Sequence, residues 1–191
     1  MEFLIHTSDT APARSATILK SFTEEIGFLP NLAATMAESP TLLEGFATLR
    51  PIVRGGTLSG PERETIALVV SFENSCSYCM AAHSTFAVKE GLPSEALDAL
   101  RSGEPPEVDS RLRALAGFTR EVVHQRGFVP EEGVRALRGA GYTRPQLLEI
   151  LAVIGWVSLA NWAHNLTGAP VDEPFQAQAW TASESAAETT V

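Results

Sequence analysis

Cysteine is the scarcest informative residue: two occur in 191, at positions 76 and 79. A pair so close closes too short a loop for the long-range staple of a secreted scaffold, so reactivity explains the two thiols better than cross-linking. Positive charge is also in short supply, 14 Lys and Arg against 23 Asp and Glu, for a formal net charge of -9. That field repels phosphate backbones and anionic bilayers, and no nucleic acid partner is expected. No basic region followed by a long apolar run stands near the N-terminus, which predicts a cytoplasmic rather than an exported protein. The longest apolar stretch, 147–163, is broken by Glu149, Ser158 and Asn161 and falls short of the roughly 20 residues a bilayer span needs. It reads as a core helix, with no membrane role.

What is present is a folding composition, 45% hydrophobic and 19% charged. Helical periodicity recurs and no alternating strand is convincing, although Ile66 to Phe72 taken alone could be a buried strand. The expectation is an all-α, single-domain helical bundle over 1–175. Its centre would be an antiparallel helix pair at about 60–73 and 76–90.

Local signals place that pair. Ser59 with Glu62 makes a capping box and Pro61 suits a first turn, so one helix starts near Gly60. The Asn74-Ser75 break then lets Ser75 cap a second helix beginning at Cys76 and ending at Gly91. Upstream helices are predicted over 11–26, 32–37 and 41–53, and downstream ones over 94–101, 110–126 and 131–137. Thr143 with Gln146 makes a second capping box for a long helix to about Leu166. Beyond residue 175 the chain is small and polar apart from Trp180, and a mobile tail over 176–191 is expected.

On a helix Cys76, Cys79 and His83 project within an arc of roughly 60 degrees, so one face carries all three. A thiol attacks only as thiolate, and a helix N-terminus or a neighbouring base lowers its pKa. The helix dipole nominates Cys76 as nucleophile; the four-residue spacing to His83 nominates Cys79. If the two helices are antiparallel, Glu64 and His83 differ in height by roughly 3 Å, within reach of each other, whereas Glu64 is offset from Cys79 by roughly 9 Å. Glu64 would then orient His83 and His83 deprotonate a thiol. Glu73 would oppose activation of a thiol and reads as a helix-end residue. Tyr78 reads as packing its ring, the alternative being a hydroxyl at the pocket mouth, and Asn161, His164 and Asn165 form a polar stripe read as capping and water contacts, with a pocket lining or a subunit interface as the alternatives. Zinc prefers more ligands than this cluster offers, so neither metal nor cofactor is expected.

The segment PERETIALVVSFENSCSYCMAAH resembles the alkylhydroperoxidase D-like members of the carboxymuconolactone decarboxylase superfamily. Their relay glutamate stands twelve residues before a C-x-x-C-x-x-x-H motif, positions filled here by Glu64, Cys76, Cys79 and His83. Weaker likeness to the peroxidase-related branch runs through GFLPNLAATMAESP and NWAHNLTGAPVDEPF, over roughly residues 25–175. The resemblance implies a thiol peroxidase for organic hydroperoxides, with Cys79 attacking and Cys76 resolving. It also implies a dithiol, lipoyl or thioredoxin-like reductant and homo-oligomeric assembly. The best-known members carry a histidine between the cysteines where this chain has Tyr78, which keeps open a redox sensor or a binding and assembly module of the same fold.

Overall fold

The computed structural model describes residues 2–182, and these are helical with no strand among them. In chain order the helices are α1 (Ala13–Ile26), α2 (Asn31–Met36), α3 (Pro40–Arg54), α4 (Gly60–Glu73), α5 (Ser77–Glu90), α6 (Ser94–Arg101), α7 (Ser110–His124), α8 (Glu131–Gly139) and α9 (Arg144–Thr167), followed by a 3-10 turn at Glu173–Gln178. The all-α expectation holds.

Helix α4 is the central element. From Glu64 to Ser71 every residue is buried, which is why its IALVVSF run mimics a strand: a helix packed on all sides loses its polar stripe. One side of it joins Val53, Leu115, Ile150 and Val157 in a core shared with α3, α7 and α9. Leu68 and Val69 enter another with Met80, Leu97 and Leu112 of α5, α6 and α7. A third core, built on Leu19, Leu43, Phe46 and Cys79, joins α1 and α3 to α5.

Both capping boxes form. The Ser59 backbone N–H donates to Glu62 Oε2 at 2.7 Å, and Glu62 N–H returns to Ser59 Oγ at 3.4 Å. Glu62 also accepts from Arg111 Nε at 2.9 Å, anchoring the start of α4 to α7.

Two boundaries depart from expectation. The second helix of the central pair starts at Ser77 with Cys76, not Ser75, as its N-cap. Ser75 turns the chain instead, in the left-handed region at φ 51°. The tail expected from 176 is docked at its start: Arg101 donates to the carbonyls of Gln178 and Ala179, Trp180 Nε1 donates to Arg101 O at 2.9 Å, and the indole packs on Phe72. One aromatic side chain with a partnered N–H suffices to seat an otherwise polar segment. The rest of that segment, 183–191, lies outside the described residues.

Helix α9 runs 24 residues, longer than its apolar stretch suggested and sufficient by length and composition alone to span a bilayer. Its inner face is core, with Ile150, Val153, Val157 and Asn161 buried, while Leu148, Leu151, Trp162 and Leu166 stand exposed on the outside.

Because the Ser59 box sets where α4 begins, and hence the height of Glu64, Ser59→Ala should cost about 1 kcal/mol. The check is the urea midpoint at constant slope; an unmoved midpoint would mean that Arg111 alone holds this end.

Candidate functional site

The short turn between α4 and α5 makes the two helices antiparallel neighbours, and their contact faces carry the predicted residues. Glu64 Oε2 lies 2.8 Å from His83 Nδ1, and both side chains are buried. A carboxylate only accepts, so Nδ1 carries a proton and donates it to Glu64, which leaves Nε2 as the ring nitrogen free to meet a ligand. Phe86 and Trp156 meet the ring edge-to-face and hold its plane.

Cys76 and Cys79 are both free thiols, 0% and 2% exposed. As N-cap of α5, Cys76 Sγ accepts the Cys79 backbone N–H at 3.4 Å, a position usually held by a hydroxyl or carboxylate. Its other neighbour is His164, near the end of α9, with Nδ1 at 3.5 Å from the sulfur. The same nitrogen lies 3.3 Å from Asn165 Oδ1, an acceptor, which places the proton on Nδ1 and aims it at the sulfur as well.

The two sulfurs are thereby made unequal. The Cys79 thiol facing it, together with His164 and the Cys79 N–H, outweighs burial and draws Cys76 down to about 5. Burial and the neighbouring Cys76 push the Cys79 thiol well above its ordinary value. Burial works against a charged His164, but contact with Cys76 prevails and raises it. The arrangement favours a thiolate at Cys76, with His164 biased towards its cation, beside a protonated Cys79.

Only one of these sulfurs meets the cavity. A cavity of about 110 Å³ is lined by Cys79, His83 and Glu64, walled by Phe22, Phe46, Phe86, Trp156 and Phe175, and edged by Arg50, Arg54 and Arg63. Cys76 lies behind it, on the α9 side. The Glu64–His83 contact and the thiol pair therefore converge where spacing on the two helices predicted.

Further polar side chains surround the α4–α5 pair. His164, Asn161 and Asn165 are not solvent-side capping groups. Asn161 pairs with Asn74 Nδ2 at 3.0 Å and with Ser71, and Asn165 donates to Asn74 O at 2.7 Å, so the stripe clamps the α4–α5 turn while His164 reaches the sulfur. Tyr78 lines the cavity and also works through its hydroxyl, which donates to Asp172 Oδ2 at 2.5 Å; Asp172 in turn accepts Asn31 N–H. That tie draws the segment carrying Phe175 over α5. Burial and the Asp172 carboxylate raise the Tyr78 pKa, so the phenol stays a donor. Glu73 accepts from Arg120 and lies 2.5 Å from His124, at the helix end where it was expected.

Comparison with known proteins finds similarity over the segment that carries this site. Residues 40–121, which include Glu64, Cys76, Cys79 and His83 but not His164, match the carboxymuconolactone decarboxylase family. An alkyl hydroperoxide reductase of Mycobacterium tuberculosis is 29% identical over 114 residues, a match that covers 57% of this chain and 33% of that longer protein. Among solved structures, a peroxidase-related protein with an alkylhydroperoxidase D core from Ralstonia eutropha superposes with a TM-score of 0.79 at 24% identity, covering 91% of this chain and 93% of that one. A cysteine-to-alanine variant of the debrominase Bmp8 bound to 2,3,4-tribromopyrrole gives 0.72 at 19% identity, over 93% and 96% of the two chains. At these identities the structural likenesses show a shared fold.

The inequality of the sulfurs is measurable. Thiolate absorbance should persist as pH falls and disappear only through about 5, since a lowered pKa keeps the anion present above it. Cys76→Ser should abolish that transition and His164→Gln should move it upward; a single transition near the value of a free thiol would overturn the assignment.

Proposed function

We propose, for a chain whose residues 40–121 match the carboxymuconolactone decarboxylase family, a thiol-dependent peroxidase that reduces organic hydroperoxides through a Cys76/Cys79 dithiol–disulfide cycle. The observation that carries this reading is the placement of Cys79 in the wall of the same cavity as the buried Glu64–His83 pair, with a second thiol one helical turn behind. The curated relative named an alkyl hydroperoxide reductase supports it.

In the first step His83 Nε2, with Nδ1 held by Glu64, takes the Cys79 proton. The thiolate attacks the outer peroxide oxygen, an S–O bond forms, the O–O bond breaks, and the alkoxide leaves with a proton as the alcohol. Cys79 is then a sulfenic acid. Cys76, held as thiolate by His164, attacks the Cys79 sulfur; an S–S bond forms and hydroxide departs as water. Charge on Cys76 is useful here and not earlier, which reconciles a resting thiolate on the sulfur that does not meet the cavity with attack by the one that does. Two electrons and two protons from an external dithiol, of lipoyl or thioredoxin-like type, restore the pair. The cycle suits a reducing cytoplasmic setting.

Turnover of cumene hydroperoxide with excess dithiol tests the reading. Cys79→Ser should abolish it, and Glu64→Gln should lower kcat by about 10²-fold. Cys76→Ser should leave a single oxidation that stops at the sulfenic acid. A wild type that forms the disulfide without turning over would replace the enzyme with a redox sensor or binding module.

Homo-oligomeric assembly belongs to the same proposal. Leu148, Leu151, Gly155, Leu159, Trp162 and Leu166 fall at helical spacing on the outer face of α9, a stripe without charge that a second copy can match by two-fold symmetry. Trp162→Glu should shift sedimentation to the monomer; an unchanged sedimentation coefficient would remove α9 from the interface.

A further inference from the structure

We infer that the cavity takes a hydroperoxide bearing a carboxylate at the end remote from the peroxide group, with Arg63 as the residue that recognises it. This rests on the peroxidase reading only for the word hydroperoxide; the anion subsite stands on its own geometry.

Basic residues are the minority charge of this chain, 14 against 23, yet Arg50, Arg54 and Arg63 all line one largely apolar cavity whose one carboxylate, Glu64, is held by His83. Two of them are compensated. Arg50 pairs with Glu25 and lies over the Phe22 ring, and Arg54 reaches Glu90 at 3.3 Å. Arg63 is not: its guanidinium donates to the Leu58 carbonyl, and among the described residues it makes no ion pair. The carboxylate next to it in sequence, Glu64, is committed to His83. A half-buried guanidinium with unused donors beside aromatic walls is a fork shaped for a carboxylate, which it can bind through two parallel hydrogen bonds. A neutral ligand would leave that fork unanswered, so the site discriminates for charge.

The cavity also limits size. At about 10–15 Å³ for each water-sized occupant, 110 Å³ admits roughly ten such positions, which matches one aromatic ring with a short branch. The reacting end meets Cys79 and His83 inside, and the anionic end meets Arg63 where α3 and α4 bring their arginines to the cavity edge.

Binding can be measured without the redox chemistry. Calorimetric titration of the full chain with 4-isopropylbenzoate and with 4-isopropylbenzamide should give at least tenfold tighter binding of the anion. The ratio should collapse towards one in Arg63→Gln, partly return in Arg63→Lys, and be kept in Arg14→Gln, which removes a surface arginine outside this cavity. Amide binding by Arg63→Gln reports that the variant is folded. Equal affinities in the wild type, no binding of the benzoate, or a ratio kept in Arg63→Gln would each overturn the subsite. A benzoate that binds as expected while its hydroperoxide analogue is not turned over would instead overturn the peroxidase and leave the subsite standing. Turnover of neutral and anionic hydroperoxides with equal kcat/KM would do the reverse.

Discussion

The packing of α4 against α5 is the constraint from which the site follows. A connection of three residues, Asn74 to Cys76, with Ser75 in the left-handed region, forces the helices into antiparallel register, and register alone brings the carboxylate of Glu64 to the imidazole of His83. Neither group could be buried without the other, since an unpaired carboxylate in this core would be expelled or neutralised. The capping box at Ser59 fixes one end of that register and the Cys76 cap fixes the other. Polar groups from α9 then close the turn from outside, so the long helix that supplies the core also supplies His164.

Most of this hairpin was legible in the sequence because its determinants are local. Capping residues announce themselves within four positions, and the placement of Glu64 relative to His83 is a matter of counting residues from a turn. The same rules misplaced the start of α5 by one residue, since a serine beside a cysteine looks like the better cap. Here the sulfur takes that duty, accepting the Cys79 N–H with His164 beside it, surroundings that no local rule supplies. His164 was visible as part of a polar stripe, yet its partner lies 88 residues away, and no spacing rule connects them. The tie from Tyr78 to Asp172 spans 94 residues and was equally hidden. The seating of Trp180 is hidden in the same way, because its neighbours in sequence are polar and its partners, Phe72 and the Arg101 carbonyl, are remote.

Two imidazoles stand on different sides of the dithiol. His83 is held by Glu64 and lines the cavity with Cys79; His164 contacts Cys76 and is biased towards its cation. The position between the cysteines, held by tyrosine, is spent on tying down the segment that carries Phe175. A histidine from α9 stands near the sulfur pair from the opposite side, so the dithiol keeps a second imidazole although the motif between its cysteines lacks one.

The use of a sulfur as helix cap couples oxidation to fraying. While Cys76 is anionic, the N–H of Cys79 has a charged acceptor and the first turn of α5 is pinned. Once that sulfur is bonded to Cys79 its charge is gone, and so is the attraction of His164. The oxidised form therefore holds the start of α5 less firmly than the reduced form does, by the worth of one cap and one ion pair. In the proposed cycle, thiols at 0% and 2% exposure would be closed to a bulky protein reductant, whereas a loosened first turn would open the disulfide to it. Access for the electron donor would then be granted by the oxidation that creates the need for it.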